Sequence, residues 1–142
     1  MWIQLLGHIV YKEMVIGNGD IAKALETLDK DDFIYFASGV SNSQETNERE
    51  FDREYELIAM QPRDKKLVYF SSLSIYSKNT PYTRHKRFME KVVKIYFKRH
   101  CIIRLGNIAW GTNPNTIINF FTNKIEKNEP VELKNEYKYI CS

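Results

Sequence analysis

A tyrosine and a lysine four residues apart are the residues of this sequence whose types and spacing could do acid–base chemistry. Tyr82 and Lys86 belong to TPYTRHKRFMEKVV, residues 80–93, whose apolar periodicity predicts an amphipathic helix. Residues at i and i+4 are neighbours on a helix, and a nearby ammonium group lowers the pKa of a phenol from about 10. The pair could thus act as a general acid and base. The alternative is that Lys86 only extends to solvent from the edge of the apolar stripe.

Three serines precede this helix at the end of a predicted strand. LVYFSSLSIY, residues 67–76, is an apolar run followed by Ser71, Ser72 and Ser74. A serine hydroxyl at this place could share a substrate hydroxyl or carbonyl oxygen with Tyr82. The strand end therefore belongs to the same candidate site as the helix.

A glycine-rich turn lies near the start of the chain, in MVIGNGDIAKAL, residues 14–25. Gly17 permits a tight turn, Gly19 lets the backbone approach a pyrophosphate, and the small Ala22 lets helix and strand pack closely. The spacing predicts a dinucleotide site, and the alternative is a plain tight turn. An acid that would hold the adenosine ribose is expected about twenty residues further on, but that region reads YFASG.

The order of predicted elements is β-α-β-α-β-α-β-α-β. Strands are predicted at the end of 8–16, at 33–37, 67–70 and 101–105, with a strand or hairpin in 131–142; helices are predicted within 17–28, 41–60, 80–93 and 113–130. This alternation predicts an α/β fold: a minimal, doubly wound, Rossmann-like and mostly parallel sheet with helices on both faces, forming a single domain of residues 1–142. Ligands of such sheets bind at strand ends. The four strand exits, GNGDIA, ASGVSNS, SSLSIY and GNIAWG, are rich in Gly, Ser or Asn.

Together these motifs resemble the short-chain dehydrogenase/reductase superfamily, in particular its extended epimerase/dehydratase branch, which acts on sugar nucleotides. VYFSSLSIY resembles the strand before the active site, and the serine four residues before Tyr76 is Ser72. YTRHK matches the Tyr-x-x-x-Lys motif at Tyr82 and Lys86. IIRLGNIAWG resembles the strand and turn after the catalytic helix, and IYFASGVSNS the strand whose exit lies beside the cofactor. In IIRLGNIAWG the residues that match the family are Arg104, Asn107 and Gly111.

The resemblance implies hydride transfer between NAD or NADP and a nucleotide sugar, most often in polysaccharide biosynthesis. Tyr82 would move the hydroxyl proton, Lys86 would lower the pKa of the tyrosine and hold the nicotinamide ribose, and Ser72 would orient the substrate oxygen. The implied cofactor-binding residues are Gly17, Asn18, Gly19, Asp20, Ile21, Ala22, Ala37, Ser38, Gly39, Lys86 and Asn107. The implied substrate-binding residues are Ser72, Ser74, Tyr82 and Asn107.

The sequence also departs from this family. Two strands and a helix are missing between the first helix and the ASGVSNS strand, which then takes either the family's fourth position in the sheet or its second. The family continues after YKYICS with a substrate-binding region, so we expect that the substrate pocket is minimal, that a partner completes it, or that the chain is a truncated product. The alternative function is thus a catalytically degenerate dinucleotide-binding sensor or scaffold. A non-binding α/β interaction domain is a third, weaker hypothesis.

Composition excludes several classes of function. The net charge of +3 comes from 21 basic and 18 acidic residues that are interleaved, which argues against nucleic acid as a partner. The two cysteines and three histidines lack metal-ligand spacing, so no metal is expected. No stretch approaches the roughly 20 apolar residues of a membrane span, so we expect no membrane partner and a cytoplasmic setting. Exposed sheet edges are compatible with a homodimer.

Three further features carry structural expectations. Arg104, inside an apolar strand, is expected either to pair with a buried carboxylate or to face the cofactor. His85, on the apolar side of its helix, is expected to be a half-buried packing residue. The charged run 45–56 is expected to be a solvated helix face.

Overall fold

The computed structural model describes residues 4–5, 8–9, 14–28, 32–132 and 140–141. Its centre is a parallel sheet of four strands, β3 (Val15–Ile16), β4 (Phe33–Phe36), β5 (Lys66–Ser72) and β6 (His100–Leu105), which are neighbours in that order. Two short pairs lie outside this sheet: β1 (Gln4–Leu5) is antiparallel to β2 (His8–Ile9), and β7 (Asn107–Ile108) is parallel to β8 (Ile140–Cys141).

In the described part of the chain, four α-helices alternate with these strands. They are α1 (Asp20–Leu25), α2 (Glu48–Ala59), α3 (Pro81–Tyr96) and α4 (Ile117–Glu126), and a 3₁₀ turn, Leu73–Tyr76, follows β5. A parallel sheet alternating with helices confirms the predicted fold class, a small Rossmann-like α/β fold. Of the strand or hairpin predicted for 131–142, Ile140–Cys141 is a strand, and residues 133–139 and 142 lie outside the described part.

The position of β4 decides between the two alternatives left by the sequence. β4 pairs on one side with β3 and on the other with β5, in register Tyr35↔Val15 and Tyr35↔Val68. It therefore lies between the first strand and the strand that carries Ser72, which is the fourth position of the family that the sequence resembles and not the second. Within the described sheet the strands follow one another in chain order, so there is no topological switch point. The position of the candidate site is therefore indicated by the strand ends alone.

Side-chain caps explain where the longer helices begin. Thr80 caps α3 in a reciprocal arrangement with Thr83, and Pro81 occupies the first helical position, where its missing N–H costs nothing. Asn47 accepts a hydrogen bond from the Arg49 N–H at the start of α2. Thr116 caps α4, so that helix begins at Ile117 rather than near residue 113 as the sequence pattern predicted.

The core forms where α2 and α3 pack on the sheet. Its buried side chains are Ile34, Phe36, Ile58, Leu67, Tyr69, Met89, Val92, Val93 and Phe97. These residues alternate along β4 and β5 and recur every three or four residues along α3, as the two periodicities require. Each large apolar side chain buried in this way contributes about 1.5–3 kcal/mol. The core thus holds α3, with Tyr82 and Lys86, firmly against the ends of the strands.

No helix among the residues that the structure describes is both long enough and apolar enough to cross a membrane.

A matched pair of glycine substitutions tests the turn between β3 and α1. Gly17 has φ of +129°, and a Cβ there would lie 2.5 Å from the Ala37 carbonyl oxygen, whereas a Cβ at Gly19 would meet nothing within 4 Å. We expect Gly17→Ser to lower the free energy of unfolding by about 1–3 kcal/mol, and Gly19→Ser, a good helix cap, to change it by less than about 0.5 kcal/mol. Urea unfolding of both variants measures this, and equal midpoints would contradict the assignment of strain to Gly17.

Candidate functional site at the strand ends

The carboxyl ends of the four parallel strands surround a cleft of about 910 Å³. Its wall comes from the segments that follow each strand: residues 18–21 after β3, 37–40 after β4, 70–74 at the end of β5, and 105–108 after β6. Residues 112–117 close one side. The four polar exits singled out in the sequence therefore meet in one place, because parallel strands end at the same edge of a sheet.

Most of the residues proposed for catalysis and binding line this cleft. They are Asn18, Gly19, Asp20, Ile21, Ala37, Ser38, Gly39, Ser72, Ser74, Tyr82, Lys86 and Asn107. Gly17 and Ala22 do not line it. Gly17 lies against the Ala37 backbone, and Ala22 is buried, so their roles here are structural.

Beneath the cleft lies a buried carboxylate that the sequence analysis missed. Glu54 of α2 has 0% of its surface exposed and accepts hydrogen bonds from Tyr69 Oη at 2.5 Å, Lys86 Nζ at 3.0 Å and the Val40 N–H at 2.8 Å. His85 Nε2 lies 2.9 Å from its second oxygen. We call these five residues the Glu54 cluster. It joins α2, α3, β5 and the exit of β4.

The partners of Glu54 determine its ionisation. Burial alone would raise the pKa of this carboxyl, but the charge of Lys86 and the hydrogen bonds from His85 and Tyr69 outweigh that effect. The pKa is lowered from 4.5 to about 2. Glu54 is therefore a permanent negative charge at neutral pH.

The expectation that the run 45–56 is a solvated helix face is wrong at Glu54. The sequence did contain a signal, because Glu54 lies three residues after Phe51 and four before Ile58, on the apolar side of α2. His85, expected to be half-buried, is 8% exposed, and its ring stacks on Phe51 with centroids 4.5 Å apart.

Lys86 is held below the cleft and does not extend to solvent. It is 2% exposed, bonds to both oxygens of Glu54, at 3.0 and 3.3 Å, and lies 3.3 Å from Tyr69 Oη. Its Nζ lies 5.7 Å from the ring centroid of Tyr82. The alternative that it extends from the edge of the apolar stripe is thus wrong.

Tyr82 has a raised pKa, contrary to the expectation that Lys86 would lower it. Burial is the largest cause; contact with the Ser72 side chain acts in the opposite direction, and the charge of Glu54 raises the pKa further. The expectation fails because the negative charge of Glu54 compensates the positive charge of Lys86. Tyr82, 7% exposed, is consequently a protonated phenol at neutral pH.

The serines at the end of β5 are ordered by one another. Ser72 Oγ lies 2.7 Å from Ser74 Oγ and accepts the Ser74 N–H at 3.2 Å, which starts the 3₁₀ turn. This arrangement holds the Ser72 hydroxyl in the cleft, within interaction range of Tyr82.

Arg104 pairs with a buried carboxylate, the first of the two alternatives. Its guanidinium donates to both oxygens of Glu90, at 2.9 and 2.7 Å, and Glu90 is 5% exposed. Arg104 does not contribute to the lining of the cleft. Its role in the described structure is to tie β6 to α3.

Asp20, at the start of α1, ties the glycine-rich turn to the loop after β7. Its carboxylate accepts hydrogen bonds from the Thr112 and Asn113 N–H groups, at 2.9 and 2.8 Å, and from Thr112 Oγ1 at 3.1 Å. The backbone hydrogen bond from Thr112 is the largest cause of its lowered pKa. Gly111 has φ of +91° and packs against this carboxylate, where a side chain would collide with it.

The charge around the cleft is mainly positive. Lys23, Arg53 and Lys78 line it together with one acid, Asp20, and Arg53 is paired with Glu50. Lys86 is balanced by Glu54. The remaining potential favours an anionic ligand.

Comparisons with known proteins assign no family. No protein-family model matches the sequence, and no curated protein matches it at a significant level. The crystal structure of the capsular polysaccharide assembling protein CapF from Staphylococcus aureus is similar over 73% of this chain, with 22% sequence identity and a TM-score of 0.44. The matched region spans 30% of the CapF chain. At this TM-score the likeness assigns no function to the present chain.

The Glu54 cluster makes a testable contribution to stability at low pH. Because folding depresses the pKa of Glu54 from 4.5 to about 2, its contribution is present above pH 4.5 and is lost as the pH falls towards 2. We expect this loss to be on the order of 3 kcal/mol. In Glu54→Gln, urea unfolding should show a lower free energy at pH 7 and a much weaker decline below pH 4.5.

Glu50→Gln is the control for this prediction. Glu50 lies on the same helix and forms an exposed ion pair with Arg53, N–O distance 3.1 Å; losing that pair should cost less than about 1 kcal/mol. The same decline with pH in Glu54→Gln and wild type would contradict the role given to Glu54.

Proposed function

We propose that the chain binds NAD or NADP in the strand-end cleft and belongs functionally with the epimerase/dehydratase or reductase enzymes that act on nucleotide sugars. The observation that carries the proposal is the convergence of two separate motifs. Tyr82, with Ser72 beside it, and the glycine-rich turn of residues 18–21 line the same cleft, although about sixty residues separate them in the sequence.

The residues present fit a dinucleotide in two respects. The space beside Gly19 is open, since a Cβ there would meet nothing within 4 Å, so a phosphate could approach the backbone. The positive charges of Lys23 and Lys78, which exceed the single negative charge of Asp20 in the lining, favour the phosphates of such a ligand. The volume of about 910 Å³ lies at the upper end of ordinary ligand pockets.

The proposal gives each residue a role at a stated group. The turn at Asn18 and Gly19 would hold the pyrophosphate and Asn107 the nicotinamide end, with Lys86 beneath that end bound to Glu54 and Tyr69. The nicotinamide, when bound, supplies or takes up a hydride. Tyr82 moves a proton to or from the substrate oxygen, and Ser72 orients that oxygen.

A second candidate function is a dinucleotide-binding module without turnover. One observation favours it: the lysine of the Tyr-x-x-x-Lys motif is fully engaged with Glu54 and Tyr69. In such a module Tyr82 and Ser72 would contact the ligand but carry out no reaction. The two candidates share the cleft and differ only in chemistry.

Calorimetric titration with NAD, NADH, NADP and NADPH tests the cofactor. We expect micromolar binding of the members of one pair. Lys78→Gln, at the rim of the cleft, should weaken binding by up to roughly fivefold through loss of one charge. Lys91→Gln, on the exposed side of α3 away from the cleft, should leave it unchanged. Absence of binding by all four, from folded protein, would overturn the proposal.

The Tyr82→Phe variant separates the two candidates. If the chain is an enzyme, this variant binds the same dinucleotide with unchanged affinity but loses at least about 100-fold in turnover of a nucleotide sugar. If it is a module without turnover, a screen of nucleotide sugars shows no reaction for either protein, while both bind the dinucleotide equally.

A further inference from the structure

The structure assigns Glu54 a role as a positioning residue of the cleft: it binds the ammonium group of Lys86 and compensates its charge, and so leaves Tyr82 a proton donor. This inference deepens the proposed function and rests on it for its meaning. It concerns the direction in which Tyr82 moves a proton, and it adds to the site a residue, Glu54, that the Tyr-x-x-x-Lys motif does not contain.

The first step of the argument is the geometry of Lys86. Both oxygens of Glu54 and the Tyr69 hydroxyl lie within 3.3 Å of its Nζ, and among the described residues these are the hydrogen-bond acceptors that face the ammonium group. A buried ammonium group requires compensation by charge and hydrogen bonds, and Glu54 already supplies both. The hydrogen bonds of Lys86 are thereby made to Glu54 and Tyr69 rather than to Tyr82.

The second step is the fixing of Glu54 itself. Tyr69 from β5, His85 from α3 and the Val40 N–H after β4 hold its carboxylate from three directions. A carboxylate so held cannot turn away to release Lys86 without leaving buried polar groups unpaired, which is costly. The position of the ammonium is therefore a fixed property of the fold.

The third step concerns the groups that face Tyr82. Glu54 approaches it from α2, Tyr69 and Ser72 from β5, and Lys86 from its own helix. Glu54 raises the pKa of Tyr82, as does burial. The positive charges of Arg53 and Lys78 lie elsewhere along the same cleft.

The fourth step is chemical. A phenol that keeps its proton at neutral pH can give that proton to a carbonyl oxygen, whereas it cannot take one from a hydroxyl group. At neutral pH Tyr82 is therefore in the form that would donate a proton in the reduction of a carbonyl compound by reduced nicotinamide, whereas the reverse reaction would require the phenolate. The carbonyl carbon would take up the hydride, the carbonyl oxygen would take up the proton of Tyr82, and water would restore that proton.

The test follows the ionisation of Tyr82 by NMR in the free protein, so it needs neither cofactor nor substrate. Protein labelled with ¹³C at the tyrosine ring is titrated with alkali, and the Tyr82 signal is assigned by its absence in Tyr82→Phe. In wild type we expect a midpoint above about 10. A wild-type midpoint below 10 overturns the inference, whether or not any variant folds.

Two variants show whether Glu54 acts through Lys86. In Glu54→Gln the ammonium is released and the Tyr82 midpoint should fall by about one unit or more. In the double variant Glu54→Gln/Lys86→Met, which replaces the ion pair by uncharged groups, the midpoint should return to within about half a unit of wild type. A midpoint unchanged in Glu54→Gln, or not restored in the double variant, overturns the inference.

Glu90→Gln is the matched control. Glu90 is also a buried carboxylate with a basic partner, Arg104, so its loss perturbs the fold in a similar way. Its charge is not among the causes of the raised pKa of Tyr82, and the midpoint should stay at the wild-type value. A fall as large as that in Glu54→Gln would mark a general structural effect and overturn the inference. Failure of dinucleotide binding, by contrast, would overturn the proposed function, but the titration of Tyr82 would still give its result because it uses the free protein.

Discussion

A carboxylate without exposed surface, that of Glu54, must be compensated inside the protein, and much of the structure around the cleft follows from this requirement. Its compensation draws Lys86 and His85 from α3, Tyr69 from β5 and the Val40 N–H after β4 to one point. Removing one member of a buried ion pair typically costs about 3–5 kcal/mol, because the other charge is left unpaired. The cluster therefore fixes α2 and α3 to the sheet in one arrangement.

The Glu54 cluster also shows that the role of a lysine four residues after a tyrosine cannot be inferred from the spacing alone. In sequence, Tyr82 and Lys86 are a simple pair one helical turn apart. In three dimensions the lysine belongs to a cluster assembled largely from other elements, and the tyrosine is buried beside Ser72. The chemistry of the pair thus depends on a residue 32 positions away from Lys86, which the spacing within one helix cannot reveal.

The fold class could be predicted from the sequence because the strand and helix periodicities of the apolar residues indicate it. Apolar runs of four to six residues alternate with amphipathic stretches, and a parallel sheet with helices is the arrangement that buries both. The start of α4 was misplaced because Thr116, rather than an earlier residue, provides the cap. The side of β3 on which β4 lies could not be derived, since both sides satisfy the rule of right-handed crossovers.

The convergence of the polar strand exits was predictable from topology, but the buried acid was not identified. Each helix was interpreted by its own apolar face, and one charged residue on such a face is ambiguous. Two such residues, Glu54 on α2 and Lys86 on α3, have opposite charge, and considering the two helices together would have indicated their pairing. Their further partners, Tyr69 and Val40, become apparent only once the strands and loops are in place.

Gly39 shows how the cluster constrains the sequence at a distance. A Cβ at this position would lie 2.8 Å from Lys86 Nζ and 3.0 Å from Glu54 Oε1. The absence of a side chain here is thus required by the polar groups beneath the loop, independently of any ligand above it. Among related proteins, residue 39 and the pair at 54 and 86 should covary: a side chain at 39 should appear only where one of the two charged residues has been replaced by a smaller one.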